Sequence, residues 1–125
     1  MNSWFHSAAT GDDQGIKKHK NKYQKKTDTR QTNADEKIFQ GFSALHYACY
    51  YGSILVAREL IEEEFNTVTE CDVEIDVIGF DEQKMILPAH STPLQIALLR
   101  KKKSIIRLLK QYIEDQAAIM STTPK

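Results

Sequence analysis

The chain has 125 residues, 41% of them hydrophobic, so one compact domain with a modest core is expected. Seventeen lysines and arginines balance seventeen aspartates and glutamates, and this balance gives the whole chain no net attraction for nucleic acid, anionic lipid or acidic substrates. Its longest apolar runs are a few residues long, far below the roughly 20 that cross a bilayer, so no transmembrane segment is predicted.

Charge is unevenly distributed along the chain, although the totals balance. Six lysines and no acid lie between residues 17 and 26, ten acids and no lysine or arginine lie between 59 and 82, and basic residues return at 100–103. The two cysteines, Cys49 and Cys71, form no C-x-x-C pair, and no apolar leader follows Met1. These features predict an intracellular, reducing location in the cytoplasm, with the nucleus as an alternative.

The first predicted element is a pair of short helices over about residues 3–24. Its residues match a block that returns later in the chain, with Trp4, Ala8, Gly11 and Ile16 falling on the positions of Leu45, Cys49, Gly52 and Ala57. Residues 25–40 follow as a polar stretch without periodicity, which predicts an exposed loop that ends in a turn near Gly41.

The second block, about residues 41–65, predicts two short antiparallel helices. Ser43 is a good N-cap, Leu45 and Cys49 lie at helical spacing, and Gly52 supplies the permissive backbone that ends the first helix. The second helix starts near Ser53 and has apolar residues on one side and charged residues on the other. Helices this short must pack on neighbours, because nucleating each one costs more than its few hydrogen bonds return.

A β-hairpin insertion is predicted over about residues 67–90. Apolar and acidic residues alternate from Cys71 to Val77, and a period of two indicates an extended strand whose acidic face carries Asp72, Glu74 and Asp76. The stretch GFDEQ would turn the chain back into a second strand, KMILP. These acids would pair with lysines of the chain itself or stay exposed.

The third block, about residues 91–115, repeats the second. Aligning STPLQIALLRKKKSIIRLLK under FSALHYACYYGSILVARELI matches four pairs: Ser43 with Thr92, Leu45 with Leu94, Ala48 with Ala97, and Leu60 with Leu109. The pattern is lost after Asp115, so residues 117–125 are predicted to form a disordered tail.

The second and third blocks resemble the ankyrin repeat, a unit of about 33 residues whose first helix carries Thr-Pro-Leu-His-x-Ala followed by a glycine. TPLQIA (92–97) differs from that motif at Gln95, and SALHYA (43–48) differs at its first two residues. The resemblance covers most of residues 3–114. It implies an all-α solenoid of about three helix-turn-helix repeats within a single domain, residues 1–116, interrupted by the hairpin insertion between repeats 2 and 3.

Two features depart from the ankyrin pattern. The offset between the second and third blocks is 49 residues, which marks the stretch around 71–87 as inserted, and Lys101 stands where the closing glycine belongs. In this family the histidine bonds back to the capping hydroxyl, which implies a bond from His46 to Ser43. Gly41 and Gly52 would mark corners that a side chain would strain.

The resemblance implies a non-catalytic protein–protein interaction module without a cofactor. In ankyrin domains the two residues before the glycine face the partner-binding surface, and those slots here hold Tyr50-Tyr51, Leu99-Arg100 and Ala9-Thr10. Aromatic residues and arginine dominate interface hot spots. The alternative is that the tyrosines shield the base of the insertion. The predicted partner-binding residues, which include candidates at a hairpin tip, are Phe39, Phe42, Tyr47, Tyr50, Tyr51, Leu99 and Arg100.

Phe39 and Phe42 flank the turn at Gly41. Hairpin tips in this family touch partners, which favours exposure of both rings, and burial against the neighbouring repeat is the equally open alternative. The partner's identity does not follow from the residues, and a monomer is favoured.

Catalysis and metal binding are not predicted. His46 and Cys49, with Cys71 and His90, have irregular spacing for a metal tetrahedron, and nothing orients a histidine toward a cysteine for proton transfer. No carboxylate pair, glycine-rich phosphate loop or nucleophile with a base appears in the sequence at a spacing suited to catalysis.

A nucleic-acid or anionic-phospholipid binder is the alternative function. It would work through a basic patch formed by Lys17, Lys18, Lys20, Lys22, Lys25, Lys26, Lys101, Lys102 and Lys103. Steep salt dependence of binding would distinguish it from protein recognition.

Overall fold

The structure is a computed structural model that describes residues 3–30, 38–77 and 83–122. Six helices and two strands lie in these ranges. In chain order they are α1 (Ser3–Thr10), α2 (Asp13–Tyr23), α3 (Ala44–Tyr51), α4 (Ile54–Glu64), β1 (Val73–Val77), β2 (Gln83–Leu87), α5 (Pro93–Leu99) and α6 (Lys103–Thr122).

The helices form three successive pairs, as the repeated blocks predict. The first helix of the second and third pairs begins with a capping box, built by Ser43 with His46 and by Thr92 with Gln95. In the first pair, the Asp12 side chain accepts the Gly15 N–H at the start of α2. These caps satisfy backbone donors that short helices otherwise leave without partners.

Packing between the pairs follows two rows of helices. α1 packs against α3 and α3 against α5 in one row, while α2 packs against α4 and α4 against α6 in the other. A continuous core runs between the rows, and its fully buried members include Ile16, Leu45, Leu60, Ile96 and Leu109. Each pair therefore covers the apolar side of the next.

Left-handed backbone closes the turn within each pair. Gly11 and Gly52 have φ of 85° and 84°, and Lys101 takes the corresponding place in the third pair with φ of 54°. The turn after α5 thus forms in spite of its missing glycine, with the Lys102 N–H donating to the Ala97 carbonyl at 3.0 Å. A lysine in this conformation is strained in a way that glycine is not.

The junctions between pairs are joined by backbone hydrogen bonds. The Gly41 N–H donates to the Asp28 carbonyl at 2.7 Å, and the Glu70 N–H donates to the Gly41 carbonyl at 3.1 Å. A Cβ at Gly41 would lie 3.1 Å from the backbone nitrogens of Glu70 and Cys71, so the close approach requires glycine. The prediction of an exposed loop over 25–40 is wrong at Asp28, Ile38 and Phe39, which are buried, and its residues 31–37 lie outside the described residues.

The predicted hairpin is present between the second and third pairs. β1 and β2 are antiparallel, with Val73 opposite Leu87 and Ile75 opposite Met85. Val73 and Ile75 are buried while Glu74 is exposed, as the alternation predicts. The stretch GFDEQ, assigned to the turn, spans residues 79–83; residues 79–82 lie outside the described residues, and Gln83 opens β2.

Helix α6 extends to Thr122, so the prediction of a disordered tail from residue 117 is wrong over 117–122. The apolar periodicity ends near Asp115, but Ala117 and Ala118 have high helix propensity and carry the helix onward. Residues 123–125 lie outside the described residues.

Among the helices in the described ranges, none combines the length and the apolar character needed to cross a membrane.

Candidate partner-binding surface

The exposed part of the predicted surface lies where helices α1, α3 and α5 end. Tyr51 is the last residue of α3 and its side chain is 41% exposed. Leu99 ends α5, and Arg100 follows it as the C-cap; both are half-buried. At the end of α1, Ala9 is half-buried and Thr10 is exposed. Of the seven predicted partner-binding residues, three therefore reach the surface: Tyr51, Leu99 and Arg100.

Arg100 is held in place by the second repeat and the hairpin. Its guanidinium carbon lies 4.1 Å from the centroid of the Tyr50 ring, a cation–π arrangement. Its Nε donates to the Tyr50 carbonyl at 3.3 Å, and its Nη1 donates to the Asp76 carbonyl at 2.8 Å. Arg100 thereby ties the third repeat to both α3 and β1.

Tyr50 is buried and supports Tyr51 from beneath. The two rings meet edge to face, with centroids 4.9 Å apart. The Tyr50 hydroxyl donates to the Asp76 carboxylate at 3.4 Å and accepts the Asp76 N–H at 3.3 Å. Tyr50 therefore shields the base of the insertion, the alternative that the sequence left open, while Tyr51 points outward.

The prediction that Phe39 and Phe42 form an exposed tip is wrong, because both rings are buried. They stack on each other with centroids 4.8 Å apart, and Phe42 meets the buried Tyr47 ring edge to face at 5.4 Å. Phe39 also contacts Tyr50 at 4.5 Å and Tyr51 at 6.3 Å between centroids. Four of the seven predicted residues thus form an aromatic cluster under Tyr51: Phe39, Phe42, Tyr47 and Tyr50.

A buried carboxylate anchors this cluster and was not foreseen from the sequence. Asp28 accepts hydrogen bonds from the Tyr47 hydroxyl at 2.7 Å and from Arg30 Nη2 at 2.9 Å. Burial alone would raise the pKa of Asp28, but the hydrogen bonds from Arg30 and Tyr47 outweigh it and hold the pKa below its usual value. Burial, and then the hydrogen bond to the Asp28 carboxylate, raise the pKa of Tyr47. The Tyr47 hydroxyl also accepts the Phe39 N–H at 2.8 Å.

His46 forms the predicted bond to its capping residue. The Ser43 N–H donates to His46 Nδ1 at 3.1 Å, so Nε2 carries the proton and donates to the Ser91 carbonyl at 2.9 Å. Burial lowers the pKa of His46 to about 4, against the opposing effect of the Ser91 bond. Both ring nitrogens are thus occupied in a structural role. Burial also raises the pKa of the Cys49 thiol, which disfavours its thiolate.

Glu64 is a second buried carboxylate that the sequence did not reveal. It lies in the last turn of α4 and accepts the N–H groups of Lys25 and Leu45, both at 3.1 Å. Burial raises its pKa, partly offset by those hydrogen bonds. Within the described ranges, no group of three or more His, Cys, Asp and Glu side chains is arranged to hold a metal ion.

An acidic groove of about 340 Å³ lies between residues 38–40 and β1. The acidic residues in its lining are Asp72, Glu74 and Asp76. Lys84 also lines the groove and lies opposite Asp76 in the register of the two strands. Phe39 lines the groove and also contacts Tyr51, so the groove adjoins the exposed tyrosine. In the described part of the chain, the ion pairs within 4.0 Å include neither Asp72 nor Glu74.

The lysines of the alternative basic patch lie in two places. The residues from 17 to 26 belong to α2 and the segment just after it, whereas Lys101, Lys102 and Lys103 lie between α5 and α6. Helix α4, with three exposed or half-exposed glutamates, packs between α2 and α6. Lys20 pairs with Glu63 at 2.8 Å and Glu59 at 3.4 Å. The exposed members are Lys17, Lys18, Lys22, Lys25, Lys26, Lys101 and Lys103.

A family model described as ankyrin repeats, in three copies, matches residues 5–122. No curated protein and no solved structure matches the chain. Ankyrin repeats generally mediate protein–protein interaction, and the family typically comprises non-catalytic binding modules.

Proposed function

This chain belongs to the ankyrin-repeat family, and on that premise we propose that it is a non-catalytic module that recognises a protein partner. The proposal extends to a short solenoid of three repeats whose inner-row helices α1, α3 and α5 carry the recognition surface. The packing of each helix pair on the next supports this arrangement.

Tyr51 is the observation that carries the proposal. It is a large, partly exposed aromatic ring at the end of α3 in the central repeat, and Leu99 and Arg100 occupy the end of the adjacent helix α5. The buried cluster beneath it is already ordered, so a partner that covers Tyr51 has little side-chain freedom to remove. Rigid aromatic anchors of this kind contribute disproportionately to binding energy at interfaces. We therefore propose Tyr51, Leu99 and Arg100 as contact residues, with Phe39, Phe42, Tyr47 and Tyr50 positioning them.

The acidic groove beside Tyr51 indicates the charge of the partner. Asp72 and Glu74 are exposed there, and Asp76 is half-exposed. A partner segment with lysine or arginine next to an apolar side chain would match both parts of this surface. Both cysteines are free thiols, which fits an encounter in a reducing, intracellular compartment.

The lysine-rich segments support no second proposal. Their members are divided between the first and third repeats, and Lys20 is engaged with two glutamates of α4. The acidic face of α4 lies between the two groups, which weakens any continuous positive field.

Partner capture from the native host with matched variants tests the proposal. Tyr51→Ala removes the anchor, and Leu55→Ala removes a comparably exposed apolar side chain, 52% exposed, from the start of α4. We expect Tyr51→Ala to weaken binding by about 30-fold, as for a hot-spot residue, and Leu55→Ala to leave it unchanged. Circular dichroism should give the same helix content for both.

Full-strength binding by the Tyr51→Ala variant would contradict the proposed surface. Equal loss of binding in both variants would indicate that the partner contacts a different surface. Steep weakening of binding to random nucleic acid with added salt, together with the absence of a protein partner, would favour the basic alternative.

A further inference from the structure

One flank of the third repeat is exposed, although the corresponding positions of the second repeat are buried. Positions separated by the 49-residue offset can be compared directly, because they occupy the same place in their helix pairs. Three fully buried positions in the second repeat become apolar side chains that are exposed or half-buried in the third: Cys49 becomes Leu98, Ala57 becomes Ile106, and Glu64 becomes Ile113. Leu98 is 47% exposed and Ile113 is 42% exposed. Apolar residues on this flank indicate a surface that is covered in use.

Helix α6 is also longer than the second helices of the other two pairs. It has 20 residues, against 11 in α2 and in α4. Every described side chain from Ile113 to Ile119 is exposed, and Ile119 is 60% exposed. A helical segment whose side chains are exposed gains little stability from its own hydrogen bonds. The length and exposure of α6 point to a second element that packs along it.

The charges on α6 are complementary to those of a second α6 running in the opposite direction. Lys103, Arg107 and Lys110 occupy the N-terminal half, while Glu114 and Asp115 lie in the C-terminal half. Basic residues at a helix N-terminus oppose the helix dipole. An antiparallel copy brings its own C-terminal carbonyl groups to those lysines, so the two helices complement each other.

We propose that two copies of the chain associate through antiparallel α6 helices, with Ile113 near the twofold axis and Lys110 of each copy beside Glu114 of the other. Ile106 and Ile113 are seven residues apart and so share one flank of the helix. With a rise of about 1.5 Å per residue, pairing the helices about residue 112 sets Lys110 level with Glu114 of the second copy. The same register brings Ile106 level with Ala118 of the second copy.

Lys110 and Glu114 are both exposed on α6. Among the described residues, the ion pairs within 4.0 Å do not include Lys110 or Glu114. A parallel arrangement would set Lys110 against Lys110, which is unfavourable. The α6 flank is separate from Tyr51, so this inference and the proposed function stand or fall independently.

Sedimentation of the full chain over a range of micromolar concentrations tests the inference. We expect the unmodified chain to form a dimer, and Lys110→Glu and Glu114→Lys each to weaken dimerisation by about tenfold or more, because each sets like charges together. Combining the two substitutions in one chain restores the opposite charges and should restore the dimer. Ile113→Asp should abolish it, while Arg58→Glu on α4 and Tyr51→Ala should leave it unchanged.

A chain that stays monomeric throughout that concentration range overturns the inference, and an acidic helix of a different protein would then fit the flank better. A dimer that survives Ile113→Asp also overturns it, because association would then use another surface. Helix content measured on each variant separates loss of association from loss of folding.

Discussion

Buried polar side chains fix the backbone at the junctions between helix pairs. In the second repeat, His46 caps Ser43 and reaches the Ser91 carbonyl of the third repeat. In the third repeat, Gln95 accepts the Thr92 N–H at 2.7 Å in the same capping position, but it is exposed. The His46 imidazole therefore links the second and third repeats, whereas the Gln95 amide only caps its own helix. Its stability contribution depends on staying neutral.

We predict that His46 makes the folded chain sensitive to mild acid. Its pKa is about 4 in the folded chain and 6.5 ordinarily, so the unfolded chain binds more protons between those values. Stability is retained above pH 6.5 and falls as the pH drops toward 4. Denaturant unfolding should show a loss of about 2 kcal/mol between pH 7 and pH 5 that His46→Gln does not show.

Glutamine is the matched replacement because Gln95 already makes the equivalent capping bond without titrating. The raised pKa of Glu64, due to burial, works in the opposite direction, since acid favours its neutral folded form. That contribution is common to both proteins and cancels in the difference. Parallel pH profiles for the two proteins would rule out His46 as the source.

Residue-level prediction succeeded where the partner is close in sequence and failed where it is distant. The bond between His46 and Ser43 spans three residues and follows from the helix start. Glu64 was not singled out from the sequence, yet its carboxylate accepts the backbone N–H groups of Lys25 and Leu45. Nothing in the local pattern marks one glutamate among four as buried, because its burial depends on chain segments 19 and 39 residues away.

At the scale of elements, the turns within the three helix pairs share the same left-handed backbone, and the turn of the third pair is the strained one. Gly11, Gly52 and Lys101 all adopt positive φ, and the lysine alone carries a Cβ. A side chain in this conformation costs about 1 kcal/mol relative to glycine. The third repeat therefore contains a removable source of strain.

We predict that Lys101→Gly raises the free energy of unfolding by about 0.5–1 kcal/mol, because relief of strain exceeds the added flexibility of the unfolded chain. Thermal and denaturant unfolding would measure the gain. As a control, Arg107→Gly in the interior of α6 should lower stability by about 1 kcal/mol. Destabilisation by both substitutions would show that the turn at Lys101 is not strained.

The hairpin was predictable from its alternation, and the length of α6 was not. Val73 and Ile75 point into the core while Glu74 faces solvent, which is the arrangement that a period of two requires. The segment after Asp115 has no amphipathic pattern, since all described side chains from 116 to 119 are exposed. Its helix rests on intrinsic propensity, which is a weaker signal than periodicity.

At the scale of the whole molecule, the insertion is integrated with the repeats through Arg100. The guanidinium contacts Tyr50 and the Asp76 carbonyl, which joins the second repeat, the hairpin and the third repeat at one point. The acidic groove and Tyr51 adjoin this point, so one rigid base supports both parts of the proposed surface. The insertion thus widens the surface available to a partner.

The sequence nominated candidate residues for the proposed surface, but it did not give the direction of each ring. Tyr50 and Tyr51 are neighbours in sequence, yet Tyr50 is buried and Tyr51 is exposed. The difference arises from Arg100 and Asp76, which engage Tyr50 from 50 and 26 residues away. A single sequence identifies the residues of such a cluster, but it does not show which of them are buried and which are exposed.

Photo-crosslinking in the native host cell tests the central proposal of protein recognition most directly. A photoreactive phenylalanine analogue replaces Tyr51 in one protein and Leu55 in another, at similarly exposed positions on different helices. We predict a discrete protein adduct from position 51 that position 55 does not give, with the crosslinked partner peptide carrying lysine or arginine. The absence of an adduct at position 51, or the same adducts from both positions, would contradict the account.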